Sequence, residues 1–138
     1  MKRFKEHIAR GIVYQKEKIL LCENIAGSYF FLPGGHVKEN ESSEEALKRE
    51  FLEESGSTVI STEYIDSFYN QFKNTNRLID ETLDVYLVKI KDSIVKSKED
   101  HIRFSWVLFR DLINVRFLPD NLILNVTSIV EKRKDFWK

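Results

Sequence analysis

The amino-acid sequence predicts an α+β fold, in which a mixed β-sheet lies between helices as an α/β/α sandwich. Three observations support this prediction. Short apolar segments of strand length outnumber the helical ones, one amphipathic helix follows an apolar strand through a glycine loop, and a second helical pattern comes late in the chain. The length of 138 residues and the 42% hydrophobic content suit a single domain over residues 1–138.

The predicted strands are bounded by polar or turn-forming residues. Residues 8–14 and 18–22 are apolar segments separated by three polar residues, which is typical of a two-stranded hairpin. Residues 29–32 form a short strand that ends at Pro33. The later predicted strands are 58–68, 82–90 and 104–108, and the predicted polar loop is 91–100.

Residues 43–55 form the clearest predicted helix. Ser42 followed by Glu45 fits a capping box, and Gly56 suits the position just past the C-terminus. The predicted core face consists of Leu47 and Phe51, with Leu52 beside them. The predicted ion pairs at i, i+4 are Glu44 with Lys48 and Glu45 with Arg49. A short helical turn is predicted at 110–113, and a last helix follows Pro119 through Leu122, Val126 and Val130.

Charge and composition argue against several classes of protein. The chain has 22 basic and 22 acidic residues, whereas broad binding to nucleic acid or to an anionic membrane usually needs a basic face. The first ten residues contain charges without an apolar run, and no apolar run approaches the roughly 20 residues that span a bilayer. The single Cys22 lies in an apolar segment, which excludes an internal disulfide and predicts a buried thiol and a cytoplasmic location.

The most informative feature is a concentration of acid in this neutral chain. Seven glutamates fall between Glu39 and Glu54, and Glu50, Glu53 and Glu54 stand at i, i+3 and i+4. Their carboxylates therefore project from one helix face, within an arc of roughly 100°. A hard divalent cation needs such oxygen ligands and would remove the repulsion between them. For an isolated set of this kind, a solvated helix face is the alternative interpretation.

The acidic residues belong to a longer pattern. Gly35 is followed after five residues by Glu41, and after seven more by Arg49-Glu50-Phe51-Leu52-Glu53-Glu54-Ser55-Gly56. This pattern resembles the Nudix box, and Leu32-Pro33-Gly34-Gly35 resembles its usual lead-in. One position departs, because Ser57 stands where the Nudix box has a bulky apolar residue. The resemblance implies the Nudix fold and hydrolysis of a nucleoside diphosphate derivative with Mg²⁺ or Mn²⁺.

The resemblance also implies roles for individual residues. Glu50 and Glu54 would bind the metal, Glu53 would be a ligand or a water-mediated base, and a carbonyl of Gly34 or Gly35 would complete the shell. Arg49 would orient the carboxylates by pairing with Glu45 or Glu41, and Glu41 would be such a supporting partner or a distant ligand. A further catalytic acid outside the box is expected at Glu81, with Asp80, Glu99 and Asp100 as competing candidates.

The sequence indicates a class of substrate and not a single compound. The expected substrate is a small phosphorylated nucleotide, either a nucleotide sugar such as ADP-ribose or a nucleoside triphosphate. The sequence leaves a homodimer open. Five aromatic residues could stack on a base, although most of them are expected in the core: Tyr29, Phe68, Tyr69, Phe72 and Trp106. The alternative function is a non-catalytic Nudix-fold module that binds a nucleotide or a protein partner.

Overall fold

The computed structural model describes residues 1–93 and 95–138. The predicted polar loop 91–100 includes residue 94, which lies outside the described residues. The helices are α1, Ser43–Ser55, and α2, Leu122–Arg133, and short 3-10 helices span Phe109–Asn114 and Lys134–Trp137. The strands are β1 Lys2–Ile12, β2 Tyr14–Gln15, β3 Lys18–Asn24, β4 Tyr29–Phe31, β5 Gly34–His36, β6 Val59–Asn74, β7 Arg77–Ile90 and β8 Ile102–Leu108.

The strands form two sheets. The first sheet is mixed and has the order β5-β1-β7-β6, with β1 parallel to β7 and the other neighbours antiparallel. The second sheet is antiparallel, and β3 is its central strand. Strand β8 pairs with one edge of β3, while β2 and β4 pair with the other.

The predicted hairpin of residues 8–14 and 18–22 is wrong for most of its first strand. The strand pairs that join it to β3 are formed by Tyr14 and Gln15, and the N–H of Leu20 also donates to the carbonyl of Val13 at 2.9 Å. Residues 8–12 instead belong to β1, which has β5 on one edge and β7 on the other. Because both edges of β1 are paired within the first sheet, it has no edge left for β3.

The core consists of two apolar layers on opposite faces of the sheets. Along β1 and the residue that follows it, Ile8 and Ile12 face α2, whereas Ala9 and Val13 face α1. The buried helix residues are Leu122, Val126 and Val130 of α2, and Ala46, Leu47 and Phe51 of α1. This arrangement confirms the α/β/α sandwich. Leu52 was predicted beside the core face but is 54% exposed, whereas Leu47 and Phe51 are buried as predicted.

Strands β6 and β7 extend well beyond the predicted segments 58–68 and 82–90. Their added residues are mostly polar and show no apolar alternation, so local sequence does not predict them. Cross-strand hydrogen bonds stabilise this part of the ladder: Asn70 donates to Glu81 at 3.0 Å, and Gln71 donates to Asp80 at 2.7 Å. The added residues 69–74 and 77–81 form a two-stranded extension that we call the β6–β7 arm. Asn70, Phe72 and Glu81 of this arm line a cavity.

Cys22 is a buried free thiol, as predicted, and burial raises its pKa. Among the described residues, no helix is long and apolar enough to cross a membrane.

Candidate active site

Helix α1, which carries the acidic residues, is capped at both ends. The backbone N–H of Glu45 donates to Ser42 Oγ at 3.1 Å, and the N–H of Ser42 donates to Glu45 Oε1 at 3.0 Å. At the other end Gly56 adopts a φ of 72°, and its N–H donates to the carbonyl of Leu52 at 3.0 Å. Both predicted caps are confirmed. Since the cap occupies the Glu45 carboxylate, the predicted pair between Glu45 and Arg49 is wrong.

Arg49 joins three carboxylates. Its Nε and Nη2 donate to the two oxygens of Glu41 at 2.7 and 3.0 Å. Its Nη1 donates to Glu50 Oε1 at 2.7 Å and to Glu53 Oε2 at 3.2 Å, and Nη2 also donates to the carbonyl of His36 at 3.0 Å. The hydrogen bonds from Arg49 and from the backbone of Lys38 lower the pKa of Glu41 to about 2. All three guanidinium nitrogens of Arg49 are therefore committed within the protein.

The two glycines of the lead-in lie in strand β5, paired with β1. A Cβ at Gly35 would lie 2.7 Å from Cγ of Glu50, and closer still to its carboxylate. A Cβ at Gly34, which has a φ of 141°, would overlap the backbone of Ala9. The absence of side chains thus allows β5 to run between β1 and Glu50. That a glycine carbonyl binds a metal stays a prediction.

Glu54 is half-buried and acts with Glu50 as a pair. Burial raises the pKa of Glu54 to about 8, and its hydrogen bond with Glu50 and the negative charges of Glu50 and Glu99 act in the same direction. Arg10 opposes this shift. Glu50 and Glu54 stand one helical turn apart on α1 and provide oxygen donors that suit a divalent cation.

Glu53 has a different environment from its two neighbours. Its side chain is 56% exposed, and its contact with the other carboxylates passes through Arg49. Within residues 1–93 and 95–138, no three His, Cys, Asp or Glu side chains are grouped so that they could hold a metal ion. The structure therefore links Glu53 to Glu50 through Arg49, and it places Glu54 one helical turn from Glu50 on the same helix.

A cavity of about 590 Å³ lies between the β6–β7 arm and the start of α2, and its lining includes Arg10, on whose guanidinium the charges of Glu50 and Glu54 act. Its aromatic lining is Tyr29, Phe31 and Phe72, and its polar lining includes Asn70, Glu81 and Asn121. Of the aromatic residues considered from the sequence, Phe68 and Trp106 pack against the core, whereas Tyr69 is 75% exposed. The volume is within the range of sites that hold a small molecule.

Glu81, the predicted further acid, lies in this cavity. It accepts the hydrogen bond from Asn70, and its negative charge acts on Arg10. The negative charges that act on Glu54 come from Glu50 and from Glu99, one of the competing candidates. A catalytic role for Glu81 stays a prediction.

Sequence reasoning misses Arg10, a basic residue of β1 that lines the cavity. Arg10 lines the cavity, and the charges of Glu50, Glu54 and Glu81 act on its guanidinium. Burial lowers the pKa of Arg10, and these carboxylates oppose that shift. One signal could have identified it: Arg10 stands between Ile8 and Ile12 at an inward-facing position of an apolar strand.

Comparison with known proteins identifies a family that the chain resembles along most of its length. The model of the NUDIX domain matches residues 5–125. An 8-oxo-dGTP diphosphatase of Buchnera aphidicola subsp. Schizaphis graminum is 30% identical over 122 residues, covering 83% of this chain and 86% of that protein. An 8-oxo-dGTP diphosphatase of Proteus vulgaris is 30% identical over 93 residues, covering 64% of this chain and 80% of that protein.

Solved structures have the same fold. A MutT structure from work on Aliivibrio salmonicida and Vibrio cholerae superposes with a TM-score of 0.70 at 25% identity, covering 91% of this chain and 98% of that one. The MutT protein of Bacillus halodurans superposes with a TM-score of 0.77 at 17% identity, covering 91% and 82%. The chain therefore belongs to the Nudix family of pyrophosphohydrolases.

Proposed function

We propose that the chain is a divalent-metal-dependent nucleoside triphosphate diphosphatase that releases a nucleoside monophosphate, with 8-oxo-dGTP as the first substrate to test. The observation that carries this proposal is the acidic face of α1, because the charges of its Glu50 and Glu54 act on Arg10, a residue that lines a cavity of suitable size for a nucleoside. The names of the two curated relatives support a triphosphate substrate over a nucleotide sugar such as ADP-ribose.

The residues of the site suit Mg²⁺ or Mn²⁺. Glu50 and Glu54 would hold the ion, with Glu53 and a carbonyl of Gly34 or Gly35 as the further ligands. When bound, such an ion neutralises charge on the phosphate oxygens and makes a water molecule more nucleophilic. The oxygen-only donor set is the kind that magnesium and manganese prefer over softer metals.

The chain itself positions the reacting groups. Arg49 fixes the orientation of Glu50 and Glu53 through its hydrogen bonds at 2.7 and 3.2 Å. In this proposal a water oxygen bonds to phosphorus, the anhydride P–O bond breaks, and Glu53 accepts the proton of the water. The exposure of Glu53 to solvent suits that role. Glu81 is the alternative residue whose carboxylate would accept this proton.

The decisive experiment is an assay of phosphate-bond cleavage over a panel of nucleotides, with and without Mg²⁺. The expected products of 8-oxo-dGTP are the monophosphate and pyrophosphate. Glu53→Gln and Glu54→Gln should each lower kcat by at least about a hundredfold, since each removes a carboxylate of the metal site. Glu44→Gln is the matched control, because Glu44 lies on the same helix and pairs only with Lys48 among the described residues.

The alternative is the non-catalytic nucleotide-binding or partner-binding module. Tight ligand binding with no metal-stimulated hydrolysis of any compound in the panel would favour this alternative. Wild-type turnover in both glutamine variants at saturating Mg²⁺ would also contradict the proposed mechanism.

A further inference from the structure

We infer that Arg10 binds the phosphate group nearest the nucleoside of a bound nucleotide. This inference rests on the proposed function, because it assumes that the nucleoside occupies the cavity and that the reacting phosphates lie at the carboxylates. It assigns a binding role to a residue outside the Nudix box.

The position of Arg10 supports this role. On β1 it pairs with Gly34 of β5 on one side and with Val85 of β7 on the other. Its guanidinium lies over the ring of Phe31, 5.3 Å from the ring centroid, and Phe31 also lines the cavity. The charges of Glu50 and Glu54 act on the same guanidinium. Arg10 thus connects the cavity to the carboxylate pair.

The hydrogen bonds of Arg10 leave donors available for a ligand. Among the described residues it makes one side-chain hydrogen bond, from Nη1 to the carbonyl of Leu32 at 3.2 Å. A guanidinium has five N–H donors, so most of them are unused here. Arg49 is the opposite case, since its three nitrogens already bind Glu41, Glu50, Glu53 and a backbone carbonyl. Of these two arginines, Arg10 is the one able to bind substrate.

The positive charge of Arg10 favours an anionic group as its ligand. Among the described residues that line the cavity, Arg10 is the only basic side chain, whereas Glu81 and Asp120 are acidic. A phosphate placed elsewhere in the cavity would meet these carboxylates without a compensating cation. With the nucleoside in the cavity and the reacting phosphates at Glu50 and Glu54, the first phosphate would lie at Arg10, the cavity residue on which the charges of both glutamates act. The planar fork of a guanidinium matches two phosphate oxygens.

The test compares each of the four deoxynucleoside monophosphates with its nucleoside, by calorimetric titration in EDTA. The wild-type protein should bind at least one monophosphate roughly tenfold to a hundredfold more tightly than the matching nucleoside. In Arg10→Ala this ratio should fall to about one while the affinity for the nucleoside is kept. Arg10→Lys should retain part of the ratio, because it keeps the charge and loses the fork.

A matched control and the contrary outcomes make the test specific. Arg77→Ala removes an arginine that also stacks on an aromatic ring, 5.0 Å from the centroid of Phe4, but lies outside the cavity, and it should leave the ratio unchanged. The inference is wrong if the wild-type protein binds no monophosphate more tightly than the matching nucleoside. It is also wrong if Arg10→Ala and Arg10→Lys weaken the binding of nucleoside and monophosphate equally, as expected for a structural role. Because the titration needs no turnover, an intact ratio without metal-dependent hydrolysis would refute the proposed function alone.

Discussion

Replacement of Gly35 by alanine tests whether the backbone of β5 sets the position of Glu50. The added Cβ would lie 2.7 Å from Cγ of Glu50, whereas ordinary contacts begin at 3.4 Å. The carboxylate lies closer still to that Cβ, so it must move by about 1 Å, and a displacement of this size at a reacting site costs roughly a hundredfold in rate. We therefore expect Gly35→Ala to lower kcat/KM about a hundredfold. The fold should survive, because the clash is with a side chain of a capped helix.

The assay is metal-dependent hydrolysis of the best substrate, with thermal unfolding as the check on folding. If the effect passes through Glu50, Gly35→Ala should cost little further activity in a Glu50→Gln background. The reasoning fails if Gly35→Ala retains wild-type kcat/KM. It also fails if the loss is equally large in the Glu50→Gln background, because the glycine would then act through some other group.

Two predictions concern the Arg49 network. Arg49→Lys should lower kcat about tenfold or more with little change in folding, because lysine cannot hold both oxygens of Glu41 and bind Glu50 as well. Steady-state kinetics at saturating Mg²⁺ tests this prediction, and an unchanged kcat would contradict it. The pKa of Glu41 is lowered to about 2 in the folded protein, so its ionised form stabilises the fold above about pH 4.5 and this contribution is lost toward pH 2. Glu41→Gln should therefore be less stable than wild type at pH 6, and the difference in urea midpoint should shrink at pH 2.5; a constant difference would contradict the assignment.

Local interactions explain why helix α1 could be predicted so closely from the sequence. Its capping box, its C-terminal glycine and its apolar spacing involve residues within one or two helical turns, and its observed bounds are the predicted ones. Strand β1 shows the opposite case. Its charged residues 2–7 are a strand because they pair with residues 77–82, and no local pattern in either segment indicates that partner.

The contrast between local interactions and contacts from distant parts of the chain also applies to the three glutamates of the candidate site. Their spacing places Glu50, Glu53 and Glu54 on one helix face, and from spacing alone they are equivalent. The structure makes them unequal through residues that are distant in sequence. Gly35 of β5 contacts Glu50, and Arg10 of β1 and Glu99 act on Glu54. Glu53 has only Arg49 beside it among these groups and stays exposed. A motif can therefore identify the acidic face, whereas the division of roles along that face depends on which strands the fold brings next to each carboxylate.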